Sequence, residues 1–64
     1  MAPFNVTIKR LRQRSGLTTT ELASKAGISR AMAYALEAGR RKPTLEVARK
    51  IARVLGVSLS VFDV

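Results

Sequence analysis

Apolar residues recur along this chain at steps of three and four, the spacing of one face of an α-helix. Phe4, Ile8 and Leu11 open the pattern. Asn5 stands where it can cap this first helix, which runs to about Ser15, and Gly16 is placed to leave it in a left-handed conformation. Lys9, Arg10 and Arg14 are left for solvent. Thr18 followed three residues later by Glu21 has the spacing of a reciprocal capping box, so a second helix starts at Thr18. It carries a narrow stripe of small apolar residues, Leu22, Ala23 and Ala26, and ends at Gly27. Only Ile28 separates that glycine from Ser29, the next N-cap, and two helices joined by so short a turn have helix-turn-helix spacing. The third helix runs to Ala38 and stops at Gly39. A basic loop follows, in which Pro43 biases Lys42 away from the helical region. Thr44 caps a fourth helix whose Leu45, Ala48, Ile51, Ala52 and Leu55 repeat at helical spacing up to Gly56. Ser58 opens a last turn carrying Leu59, Val61 and Phe62. The stretches that could be strands are short and terminal. The predicted fold is all-α, a compact bundle of four to five short helices around a central helix-turn-helix, in one domain spanning 1–64 with its core over about 5–62.

Composition narrows what such a bundle can do. Cys and His are both absent, so neither disulfides nor the usual structural zinc ligands are available, and packing alone must hold the 64 residues together. Without those residues, with Glu21, Glu37, Glu46 and Asp63 scattered, and with no phosphate-cradling glycine motif, enzymatic activity and a cofactor are not expected. Twelve Lys and Arg against four acidic residues give a net charge of +8, which favours a polyanion: nucleic acid or an anionic membrane surface. The cations are spread over several helices whose apolar faces are needed for the core, which weighs against the membrane. No apolar stretch approaches the ~18 residues of a span, and the N-terminal MAPFNV lacks the basic and apolar regions of a signal peptide. The chain reads as cytoplasmic. It carries no sensory domain, so no small-molecule ligand is expected.

Four blocks in register, LRQRSGLT, ELASKAGIS, LEAGRRKPT and ARKIARVLGVSL, resemble the phage lambda and 434 repressor and Cro family of helix-turn-helix DNA-binding domains. The resemblance covers nearly everything from Val6 to Phe62. It implies that Ile28, Ala33 and Leu36 point inward from the third helix onto Leu22 and Leu55. Ala33 is smaller than the Ile or Val usual there, so either Met32 or Tyr34 leans in to fill the gap, or the third helix sits closer to the second. Arg12 and Glu37 match a pair of positions that form a largely buried salt bridge in some members, and are expected to be structural, the alternative being two merely solvated charges. With the inward positions set, steps of 100 degrees from Ser29 turn Arg30, Ala31, Tyr34, Ala35 and Ala38 outward, toward a major groove.

Ser29, Arg30, Ala31, Tyr34 and Ala35 are therefore the expected base-reading set. Arg30 can pair bidentately with guanine, or its guanidinium can hold a phosphate instead. Ala31 and Ala35 either place methyl groups against thymine methyls or serve only as strong helix formers. Tyr34 reaches a phosphate or a base, or else its ring covers the gap beside Ala33. Phosphates are expected at Arg40, Arg41 and Lys42 and at the amides around Thr18 and Thr19. The family often has Gln where this chain has Thr19, which is too short both to bond a phosphate and to brace Arg30. The family pairs on symmetric sites, so the implied partners are double-stranded DNA and a second copy of the chain; Leu59, Val61 and Phe62 either form the dimerisation surface or simply cap the bundle. The competing reading is an antitoxin-like or regulatory interaction module that docks another protein on an apolar patch of Ala31, Met32, Tyr34 and Ala35.

Overall fold

The computed structural model describes residues 3–62; Met1, Ala2, Asp63 and Val64 lie outside the described residues. Among the described residues four α-helices follow one another, α1 (Phe4–Arg14), α2 (Thr19–Ala26), α3 (Arg30–Glu37) and α4 (Leu45–Leu55), and a 3-10 turn, Leu59–Val61, comes after them. The all-α helix-turn-helix bundle read from the sequence is the fold observed.

Local signals set these boundaries. Thr18, Ser29 and Thr44 each accept a hydrogen bond from a backbone amide three residues on. At α2 the box is reciprocal: the Glu21 amide donates to Thr18 Oγ1 (3.0 Å) and the Thr18 amide to Glu21 Oε1 (2.9 Å). Each helix ends with the paired hydrogen bonds of a glycine-terminated turn. In α3, Gly39 donates to the Leu36 carbonyl and Arg40 to that of Ala35, which requires the positive φ of 75° found at Gly39.

The first helix departs from expectation. Pro3 takes the N-cap position, where no side-chain bond is made, and Asn5 lies inside the first turn. Pro before the first turn sets the φ a helix start needs and has no amide to leave unpaired. Asn5 instead packs across Gly39: a Cβ there would lie 3.3 Å from Asn5 Nδ2. The first turn of α1 and the loop after α3 are thus in close contact.

The core is built of Ile8, Leu22, Leu36 and Ile51, all fully buried, with Phe4, Ala26, Ala48, Ala52 and Phe62 around them. α2 is the hub, packing on both α3 and α4, while α1 packs on α3. The small Ala23, Ala26 and Ala33, all buried, permit that approach. Of the two residues expected to lean in beside Ala33, Met32 lies half-buried against the core, while Tyr34 stays 51% exposed. Ile28 and Leu55, expected as central contacts, are only half-buried at its edge. Leu45 is exposed, because it holds the first position of α4, where nothing among the described residues covers it.

Candidate nucleic-acid interface

α3 presents its outward face from a fixed start. The Ser29 hydroxyl accepts from the Met32 amide at 3.0 Å, so its oxygen is engaged in capping. Arg30, Ala31 and Ala38 are exposed, Ala35 is half-buried, and Tyr34 projects from the middle of the face. The first turn of α3 contains no acidic residue, leaving its positive helix end uncompensated beside Arg30.

The far end of α3 is fastened. Arg12 Nε lies 2.8 Å from Glu37 Oε2, and both side chains are largely buried. Arg12 Nη1 also donates to the Leu17 carbonyl at 2.8 Å, tying α1 to the end of the α1–α2 turn, just before the α2 N-cap. The Thr19 hydroxyl donates to Glu37 Oε1 at a long 3.4 Å. α1 and α2 therefore both bond to the one carboxylate that α3 carries.

This arrangement corrects part of the expected phosphate set. Thr19 is buried and its hydroxyl faces Glu37, so only its amide remains for a ligand. The Thr18 amide is already held by the Glu21 carboxylate, which also places a negative charge at this helix end. The Thr18 amide, and after it the Thr18 side chain, hold the Glu21 carboxyl below the usual glutamate range. Arg40, Arg41 and Lys42 are exposed on the loop, and among the described residues none has an acidic partner.

The expected pairing surface is also altered. Phe62 is buried, its ring stacked at a tilt on Phe4 with centroids 4.9 Å apart, because the first helix supplies an aromatic partner 58 positions away in the chain. Leu59 is half-buried against the core, and of the three only Val61 is exposed. The apolar docking patch loses Met32 to the core in the same way. Lys9, left to solvent by the sequence, lines a cleft with Arg12, Thr19, Tyr34, Glu37 and Ala38. Its signal was present: Lys9 precedes Arg12 by three residues and so shares its helix face. Among the described residues, no helix is long and apolar enough to cross a membrane, and no group of His, Cys, Asp or Glu could hold a metal ion.

Known proteins agree with this architecture. The helix-turn-helix family model matches residues 8–62.

The chain belongs to the helix-turn-helix family, of the Cro and repressor type.

An HTH-type transcriptional regulator of Methanothermobacter thermautotrophicus is 47% identical over 49 residues, covering 77% of this chain and 71% of that protein. The HTH-type transcriptional regulator SutR of Escherichia coli is 38% identical over 59 residues, which cover 92% of this chain and 33% of SutR. Among solved structures, the N-terminal DNA-binding domain of SinR from Bacillus subtilis superposes with a TM-score of 0.87 at 29% identity, covering 91% of this chain and 86% of that one. The SinR protein/SinI protein complex superposes equally well, with 57% of its matched chain covered.

Proposed function

We propose that this helix-turn-helix family member is a sequence-specific regulator of transcription that acts in the cytoplasm as a repressor on double-stranded DNA. The observation that carries the reading is the outward face of α3, where Arg30 stands exposed at a capped helix start with no acidic neighbour in that turn. α3 enters the major groove, and the Arg30 guanidinium pairs with O6 and N7 of a guanine, a contact worth roughly 1–3 kcal/mol of discrimination. Ala31 and Ala35 let the helix lie deep and set methyl groups against thymines, and Tyr34 contributes its hydroxyl at the groove edge. Arg40, Arg41 and Lys42 hold phosphates, joined by the Thr19 and Thr20 amides at the α2 start, which lack intrahelical partners by position.

So few polar groups on the reading face leave each domain with modest specificity. Two copies on a symmetric site, with half-sites roughly 34 Å apart, recover it. Val61 and the half-buried Leu59 are the apolar residues near the chain end available for that pairing.

The test is selection of bound sequences from a random duplex library at moderate salt, with wild type beside Arg30→Ala. An enriched palindrome whose guanine preference vanishes in the variant is the expected result. Salt-insensitive capture of a protein and no enriched motif would assign α3 to docking instead.

A further inference from the structure

We propose that the outer face of α1 is part of the DNA-binding surface. Lys9, flanked by Asn5 and Arg10, takes phosphates of the duplex on the stretch between the α3–α4 loop and the start of α2. This rests on the DNA-binding reading above and extends its contact surface to a helix that neither the sequence pattern nor that reading assigned to it.

Three shallow clefts carry the inference, because they share residues and so form one track. The first, of about 300 Å³, is lined by Lys9, Thr19, Tyr34 and Ala38 together with the Arg12–Glu37 pair. The second, of about 340 Å³, includes Asn5, Lys9, Arg10, Gln13 and Glu37. The third, of about 180 Å³, includes Asn5, Gly39, Arg41 and Lys42. Lys9 and Glu37 join the first to the second, and Asn5 joins the second to the third. The close packing of Asn5 on Gly39 fixes that last junction.

Charge gives the track its occupant. Lys9, Arg10, Arg41 and Lys42 are exposed along it and, among the described residues, have no acidic partner. Its one carboxylate, Glu37, is neutralised by Arg12 at 2.8 Å and accepts from Thr19. The track runs from beside the reading face of α3 to the basic loop, so the outer face of α1 flanks both of the places where the reading above puts a polyanion. Clefts that are open to solvent and follow one another suit an extended sugar-phosphate backbone. A further basic cleft, of about 360 Å³, lies between the C-terminal end of α2 and α4, with Lys25, Lys50 and Arg53. It shares no lining residue with the track and serves as the control.

The experiment measures affinity of the full chain for a short mixed-sequence B-form duplex as a function of salt. The Lys9→Ala/Arg10→Ala double variant is expected to lower the slope of log K against log salt by about 2, one for each lost phosphate contact. Lys9→Arg/Arg10→Lys is expected to keep the wild-type slope, and Lys25→Ala/Lys50→Ala to leave it unchanged. Circular dichroism confirms that each variant is folded. Tight binding with an unaltered slope in the Lys9→Ala/Arg10→Ala variant overturns the proposal while leaving the DNA-binding reading intact. An equal loss from the Lys25→Ala/Lys50→Ala variant overturns it too, since any surface cation would then serve. Absence of duplex binding by wild type removes both readings.

Discussion

α2 and α3 are consecutive helices of eight residues each, both capped by a hydroxyl side chain, yet their first turns are built oppositely. α2 carries its own anion: Glu21 closes the box with Thr18 and compensates the helix dipole. α3 carries no acid in its first turn and begins with Arg30, a positive charge at the positive end of the helix. The first arrangement is stable in the free protein, whereas the second becomes favourable when an external polyanion arrives. The difference extends to burial. α2 buries Thr19, Leu22, Ala23 and Ala26, while α3 buries only Ala33 and Leu36 and is fastened at its far end through Glu37. One helix is the scaffold and the other is the presented edge.

The fastening is where the contrast breaks most easily. Arg12→Met should cost about 3–5 kcal/mol of stability, because Glu37 is then left buried without its partner. The Arg12→Met/Glu37→Met double replacement should be nearly neutral. Urea unfolding of the single and double variants decides this, and a double variant as unstable as the single would show that the pair itself, not the orphaned charge, matters.

Removing the two caps separates the helix starts. Thr18→Ala and Ser29→Ala should each cost on the order of 1 kcal/mol. The loss at Thr18 should be the greater, since the box is reciprocal there and single at Ser29. Equal midpoint shifts in thermal unfolding would erase the distinction.

Charge reversal at the presented edge should act in opposite directions on stability and binding. Arg30→Glu supplies the missing acid in the first turn of α3 and should stabilise the free fold by about 0.3–1 kcal/mol. The same change should abolish selective duplex binding. A variant that is neither more stable nor weaker in binding would show that the start of α3 is not held for DNA.

The smallest effect is in pH. Folding lowers the Glu21 pKa through its bonds to Thr18, so its contribution to stability is fully present above the ordinary glutamate value. It drains away as the pH falls through the lowered value of the folded state. Glu21→Gln should flatten that part of the acid limb, and an unchanged limb would assign the acid loss to other carboxylates.

What the sequence determined by itself was the set of helices and the exposed face of α3. Caps and terminal glycines act through hydrogen bonds three to five residues long, so Thr18 with Glu21, Ser29, Thr44 and Gly39 could be recognised wherever they stood. The outward residues of α3 followed from its period, and Arg30, Ala31 and Tyr34 are exposed as that period required. The tertiary structure alone decided which partners distant residues take. Phe62 closes on Phe4, Met32 packs against the core, Thr19 spends its hydroxyl on Glu37, and Asn5 gives up a cap to pack on Gly39. These outcomes depend on the space and unpaired atoms left when separate helices meet, and no local spacing records that remainder.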